Sequence, residues 1–276
     1  MILIRLKYNT TKTAIGLDLK KELFSTFWLL LFFILPVIPA KAQFTCGMSG
    51  SLNSPSASLP PDGTFSFGGN YLPSALMPAD LKYNSGNYYL NVTFFSFMEL
   101  SYRSTFLRCE SLHPLKHKYT WNKDRSVGLK LRIFPQGRKW RPALAIGSND
   151  VVTTKNVINL TNDPKGNKYF ASVYGVISRS FPLREQTLLL SAGYYVPFYK
   201  NSDKKGIFGS VQWTPPKGWD WFSLWGEYDC DAVNLGIRTC FFRHLELQVF
   251  CYDFKAVSCG IRYSVNLLGR RAKCGQ

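Results

Sequence analysis

The sequence predicts an all-β protein, an antiparallel outer-membrane β-barrel of about twelve strands that follows a cleaved signal peptide. Three observations lead to this prediction. Apolar and polar residues alternate in short runs up to the end of the chain, residues 1–42 have the features of a secretory signal, and long connections alternate with short ones.

The alternation repeats through the last sixty residues, for example at 244–252, and is cleanest at 97–106. Leu245 and Val249 lie on one face of the predicted strand and Glu246 and Gln248 on the other, because successive side chains of a strand point in opposite directions. Neighbouring runs repeat the pattern. A soluble β-sandwich would show similar alternation, so the pattern alone leaves both folds open.

The N-terminus favours the barrel. Residues 1–42 comprise a basic flank ending at Lys21, an apolar stretch at 23–38 and a small-residue cleavage site ending at Ala42. The alternative is a retained membrane anchor, but the apolar stretch is shorter than the roughly 20 residues of a spanning helix and is broken by proline. We therefore expect cleavage after Ala42.

The remaining chain divides into a periplasmic N-terminal segment at 43–63, a barrel domain at 64–267 and a C-terminal tail at 268–276. The predicted strands are 64–72, 88–95, 97–106, 126–134, 141–148, 169–178, 187–196, 207–214, 222–228, 232–241, 244–252 and 256–267. Barrels of Gram-negative outer membranes have long outer loops and short periplasmic turns. The alternating connection lengths therefore predict that both termini are periplasmic.

The chain is strongly basic. Its formal net charge of +17 includes six basic and two acidic residues in 1–42, which leaves +13 after cleavage. Such a surplus favours an anionic neighbour, and secretion argues against nucleic acid. Outer-membrane lipid headgroups and an anionic polysaccharide both remain open.

Residues that could carry enzymatic or metal chemistry are few. Cys109, Glu110, His113 and His117 lie close together in the sequence, but Pro114 breaks the helix that would align the two histidines. The seven cysteines do not have zinc-finger spacing, and no serine lies in a nucleophile elbow. We expect no metal, no cofactor and no enzymatic activity.

Basic side chains lie on the predicted inward face, where they face the acidic side chains of Glu99, Glu227 and Glu246 across the lumen. They give a lumen that favours anions, or else a ladder of salt bridges that only fills a narrow barrel. These candidate lumen residues are Arg103, Lys130, Arg132, Arg238 and Arg262.

Three tryptophans, Trp219, Trp221 and Trp225, lie close together near the start of a predicted strand. Flat aromatic faces of this kind stack on sugar rings. Tryptophans at a strand start also anchor barrels at the membrane interface, and we favour this second interpretation.

Three stretches carry a resemblance to a known family. The sequence GSLNSPSA at 50–57, followed by PDGT at 61–64, resembles the opening of the YjbH-like family of exopolysaccharide-associated outer-membrane proteins. DRSVGLK at 124–130 and PALAIG at 142–147 are similar to two later strand motifs of that family, in the same order.

The resemblance implies an outer-membrane barrel that assists secretion or surface assembly of exopolysaccharide or capsule, together with export proteins. It carries over no catalytic residue, because the matching motifs consist of turn residues and small residues. A small-solute porin, or a structural barrel with no carbohydrate role, is the alternative function.

Overall fold

The computed structural model describes residues 45–77, 83–110, 119–138, 140–153, 171–198, 204–242 and 244–269. Within these residues, twelve antiparallel strands form a closed barrel in which each strand pairs with the next and β1 pairs with β12. The predicted fold class is confirmed. The predicted signal peptide, most of the predicted tail, and His113 and His117 lie outside the described residues.

Every strand runs antiparallel to its two neighbours. In chain order the strands are β1 Thr64–Leu72, β2 Ser85–Phe94, β3 Met98–Glu110, β4 Tyr119–Phe134, β5 Ala143–Thr153, β6 Ser172–Leu183, β7 Gln186–Pro197, β8 Gly206–Thr214, β9 Phe222–Tyr228, β10 Val233–Phe241, β11 Leu245–Tyr252 and β12 Ala256–Asn266. A short 3₁₀ turn at Ser74–Leu76 follows β1. Among the described residues, no helix has the length and apolar character needed to cross a membrane.

Strands β3 and β4 are longer than predicted. The sequence pattern predicts a loop at 107–125, whereas the two strands remain paired as far as Glu110 and Tyr119. Polar residues at 122–125 suggested a loop because the prediction relied on an apolar face. A strand pair is held by backbone hydrogen bonds, which do not depend on the polarity of the side chains.

The outer face of the barrel is apolar. Each strand exposes at least one large apolar side chain, including Phe67, Leu90, Leu100, Ile133, Ile146, Ile177, Leu190, Val211, Leu224, Ile237, Leu247 and Ile261. A continuous surface of this kind is typical of a barrel surrounded by lipid.

On the inner face, large rings lie over glycines of adjacent strands. A methyl group added to any of these glycines would overlap the ring opposite, so only glycine leaves room for it. The four pairs are Gly68 with Tyr89, Gly147 with Tyr174, Gly193 with Phe208 and Gly236 with Trp225.

The two ends of the barrel differ. The short-turn end has the connections at 95–97, 135–142, 184–185, 215–221 and 242–244. The long-loop end has the connections β1–β2, β3–β4, β5–β6 and β7–β8, together with tight turns after β9 and β11. Which end faces the periplasm remains a prediction.

Candidate functional site

Residues 45–59, here called the internal segment, lie inside the barrel. All of them are buried except Ser58, which is half-buried. The Thr45 amide donates to the Leu52 carbonyl at 2.7 Å, and the Ser51 amide donates to the Ser54 carbonyl at 2.8 Å, so the segment doubles back on itself. Serine, asparagine and proline favour such a turn. The sequence pattern predicts a separate periplasmic segment at 43–63 and does not indicate this insertion.

One end of the segment is held by a buried ion pair from β3 and β4. The Lys130 ammonium lies 2.6 Å from the Glu99 carboxylate, and both side chains are almost completely buried. Lys130 also donates to the Ser49 carbonyl at 2.8 Å, while the Ser49 amide donates to Glu99 at 2.8 Å. The backbone of the segment therefore provides further hydrogen-bond partners for the buried ammonium and carboxylate groups of this ion pair.

The turn of the segment is held by carboxylates near the long-loop end. The Glu227 carboxylate accepts hydrogen bonds from the amides of Asn53 and Ser54, at 2.9 and 3.0 Å. The Asn53 side chain donates to Asp229 at 2.6 Å, and Tyr195 donates to the Asn53 carbonyl at 2.7 Å. Charge-assisted hydrogen bonds of this kind are the strong ones, so this contact fixes the turn firmly.

The first described residues of the segment lie against β3 and β5. Ser101 donates to the Cys46 carbonyl at 2.6 Å, and the Arg103 guanidinium lies 3.0 Å from the Cys46 sulfur and 2.7 Å from Asp150. Burial raises the pKa of the Cys46 thiol to about 12, although Arg103 opposes the shift. A buried thiol with so high a pKa is a weak nucleophile.

Apolar contacts complete the packing of the segment. Leu52 packs with Trp225 and Phe250 from the inner face. Ala57 belongs to a second cluster, with Ala143, Ala145, Tyr174, Val176, Tyr195 and Phe208. The segment thus provides part of the hydrophobic core of the barrel.

The three stretches that carry the family resemblance meet in this site. The first, at 50–57, forms the turn of the internal segment. In the second, Lys130 binds Ser49, and Gly128 leaves room for the Met48 side chain. In the third, small alanines at 143 and 145 accommodate Ala57. All three stretches therefore contribute residues to the internal segment or to the side chains packed around it.

The predicted lumen residues do not form one cluster. Arg103 and Lys130 contact the segment, Arg262 pairs with Glu246, and Arg238 donates to the Ser223 hydroxyl at 2.9 Å. Arg132 is half-buried near the short-turn end, where it donates to the Ser96 carbonyl.

Acidic side chains balance the buried basic ones. Among the described residues, the buried basic side chains are Arg103, Lys130, Lys204, Arg238 and Arg262, and the buried acidic ones are Glu99, Asp124, Asp150, Glu227, Asp229 and Glu246. This balance favours the salt-bridge alternative. An anion-selective role for the basic residues remains a prediction.

The three tryptophans do not share a surface. Trp219 is exposed in the turn between β8 and β9, and Trp221 packs edge-to-face on Phe222 at the same end. Trp225 is buried and packs against Phe250 at 5.8 Å. Of the three, only Trp219 and Trp221 lie in the turn between β8 and β9, and their role as girdle or sugar-stacking residues remains a prediction.

Several site residues escaped the sequence analysis, notably Ser49, Asn53, Asp150 and Asp229. Their positions outside the predicted strands gave no inward-facing pattern to follow. The serine-rich stretch at 50–57 was the available signal, since polar turn formers are suited to satisfying a buried carboxylate. No three His, Cys, Asp or Glu side chains in the described parts of the chain are placed to bind a metal.

The Asp229–Lys204 pair, 3.1 Å apart, lies outside the strands and makes stability depend on pH. Burial raises the pKa of Asp229, but Lys204 and the amide of Ala232 oppose it, and the net shift is downward. Burial lowers the pKa of Lys204, but Asp229 outweighs it, and the net shift is upward. Asp229 therefore adds stability above its unfolded pKa of about 4, and this contribution is lost as the pH falls through the lower folded value.

We expect Asp229→Asn to unfold more readily than the wild type at pH 7. The difference in the free energy of unfolding should shrink as the pH falls below about 4, since both proteins then have an uncharged side chain at position 229. Urea unfolding in detergent at several pH values measures this. A difference that is constant down to pH 2 would contradict the assignment.

The fold and the site together define a class of protein, an outer-membrane type of β-barrel plugged by a segment of its own chain. A family model described as exopolysaccharide biosynthesis protein YbjH matches residues 42–234, which include the internal segment and β1 to β9. The chain belongs to this YjbH family, as its motifs predicted. Membership links it to exopolysaccharide biosynthesis and to an outer-membrane barrel fold.

Solved structures add little to this assignment. Outer membrane phospholipase A from Escherichia coli is 10% identical, with a TM-score of 0.32, and covers 75% of this chain and 92% of its own. The calcium-bound phospholipase dimer from Salmonella typhi is 9% identical, with a TM-score of 0.33 and the same coverage. These values are too low to relate the chain to their activity. None of the curated proteins compared with the chain matches it.

Proposed function

We propose that this protein is a non-enzymatic outer-membrane barrel that assists secretion or surface assembly of exopolysaccharide or capsule. The observation that carries the proposal is the convergence of the family's motifs on the internal segment. Family membership supports the link to exopolysaccharide, and the apolar outer face supports a location in lipid. The positive charge of the chain suits an anionic polymer and anionic lipid as neighbours.

Whether the lumen is open or filled determines whether such a barrel can pass solutes. Ser49, Asn53 and Ala57 are bound to inner-face side chains from β3, β9 and β6, so the segment is attached on several sides. A small-solute porin needs an open lumen, and the filled interior does not favour that alternative. A plugged barrel instead suits a surface anchor for the export proteins, or a pathway that opens only when the segment is displaced.

A deletion strain tests the polysaccharide role. We expect less exopolysaccharide or capsule at the surface of the strain, measured by sugar analysis of the surface fraction, and restoration by the full-length gene. The protein itself should be recovered from outer-membrane fractions and should migrate differently on gels with and without heating. Unchanged surface carbohydrate would argue against the role, whereas recovery only in the soluble periplasmic fraction would argue against the barrel in the membrane.

Conductance tests the plug independently of any polysaccharide. In planar bilayers the wild-type barrel should pass little current, and Glu227→Ala should produce frequent openings because the turn at Asn53 and Ser54 loses its carboxylate. Glu185→Ala is the matched control, since Glu185 is exposed in the turn between β6 and β7. Large, steady conductance of the wild type would contradict a plugged lumen.

A further inference from the structure

A groove opens on the outer face of the barrel near the short-turn end. It has a volume of about 470 Å³ and is lined mainly by apolar side chains of β6 and β7 and of the turn before β5. These include Trp140, Ile177, Phe181, Leu190 and Ala192, together with the basic side chain of Arg179. Ala192 points outward from β7, where its small side chain leaves the space that a larger residue would fill.

The shape of the groove is fixed by the Gln136 side chain, which pairs with the backbone of Ser180 as a neighbouring strand would. The Gln136 side-chain amide donates to the Ser180 carbonyl at 3.0 Å and accepts from the Ser180 amide at 2.8 Å, which ties the turn at 135–142 to β6. This turn carries Trp140, which is 82% exposed. The site is therefore fixed by specific contacts.

Arg179 places a positive charge in the apolar wall. Its guanidinium carbon lies 5.5 Å from the centre of the Trp140 ring and 5.3 Å from that of Phe181, within the range of cation–π attraction. The two rings hold the planar guanidinium in place. A pre-oriented guanidinium beside an apolar groove suits a ligand with a negative head and a hydrocarbon tail.

The surrounding turns add to the charge. Arg138 and Arg141 are exposed in the turn before β5, and Arg184 is exposed in the turn after β6, against the single acidic residue Glu185. Positive side chains just beyond an apolar belt lie at the level of lipid phosphates. A soluble anion without a hydrocarbon chain would contact only the basic side chains and would not occupy the apolar groove.

We propose that the groove binds an anionic glycerophospholipid, with its phosphodiester at Arg179 and an acyl chain along Ile177, Leu190 and Ala192. The inference rests on the proposed location in the outer membrane but not on the polysaccharide role. It assigns the barrel a specific lipid partner at the short-turn end, in addition to the bulk lipid that surrounds any barrel.

Binding to the purified full-length barrel in detergent tests the proposal, with native mass spectrometry or Trp fluorescence as the readout. Phosphatidylglycerol should bind more tightly than phosphatidylcholine of the same chain length. Arg179→Gln should weaken phosphatidylglycerol binding about tenfold, since a charge-assisted hydrogen bond is lost, and should weaken phosphatidylcholine binding less, because the choline group already offsets the charge of its phosphodiester. Ala192→Trp should weaken the binding of both lipids, because the indole ring would fill the groove.

Two control variants should bind as the wild type does. Val196→Trp adds the same ring to the outer face of β7 outside the groove, and Arg125→Gln removes an exposed arginine on β4. Heat-modifiable migration on gels shows whether each variant has folded. If Arg179→Gln does not fold, the comparison of lipid binding by Ala192→Trp and by Val196→Trp still tests the groove.

Three results would overturn the proposal. The first is equal binding of the two phospholipids, and the second is inorganic phosphate binding as tightly as phosphatidylglycerol. The third is displacement of phosphatidylglycerol by lipopolysaccharide at lower concentration, which would assign the groove to the other lipid class. None of these outcomes depends on whether the deletion strain has altered surface carbohydrate.

Discussion

Replacing Lys130 by methionine should destabilise the barrel more than any change on its outer face. Glu99 would remain buried, with its carboxylate 1% exposed and without the ammonium that now lies 2.6 Å away. The Ser49 carbonyl would lose its donor as well. Breaking one side of a buried ion pair costs about 3–5 kcal/mol, and we expect a loss of this size in the free energy of unfolding, measured by urea unfolding of the barrel in detergent or lipid.

Two variants separate the ion pair from the general effect of removing a lysine. Lys123→Met removes an exposed lysine of the same strand and should change stability by less than about 0.5 kcal/mol. The double variant Glu99→Gln/Lys130→Met should regain much of the loss, because it removes the uncompensated charge. Equal stability of Lys130→Met and Lys123→Met would show that the buried pair is not formed.

The second large effect is expected at Gly147. A valine there would overlap the Tyr174 ring, which lies over this glycine from β6 and belongs to the cluster around Ala57. The ring would have to leave its position, so overpacking and loss of contact with the internal segment would combine. We expect a cost of about 3 kcal/mol in the free energy of unfolding, at the upper end for overpacked cores.

Gly175→Val provides the matched control. Gly175 follows Tyr174 on β6, points outward and has open space around it, so an added side chain meets nothing. Its valine variant should keep near wild-type stability. If both valine variants lost the same amount, the effect would come from glycine as such and not from the space under the ring.

Much of the barrel could be predicted because its strands have a binary pattern. The bounds predicted for the first and ninth strands agree with β1 and β9, and Glu246 and Gln248 point inward as expected. A strand with one face in lipid and one face in the lumen makes this period visible in the sequence. The same logic assigned Arg103 and Lys130 to the lumen.

The internal segment could not be predicted in this way. Residues 45–59 form no regular strand, and a run of serines with asparagine and one proline is usually a sign of exposed chain. The segment is buried because its backbone amides add hydrogen bonds to carboxylates such as Glu227, which receives only one side-chain hydrogen bond among the described residues, from Asn234 on the neighbouring strand. The hydrogen bonds between the segment and Glu227 join residues that are far apart in the sequence, so no local sequence pattern predicts them.

The internal segment also affects how the barrel assembles. It is synthesised before any of the strands, yet its contact between Asn53 and Glu227 spans 174 residues and its contact between Ser49 and Glu99 spans 50. Contacts of such long sequence separation form slowly, because closing a long loop costs conformational entropy before the contact stabilises it. The segment therefore completes its contacts only after the ninth strand has been made, so its final seating is a late event in folding.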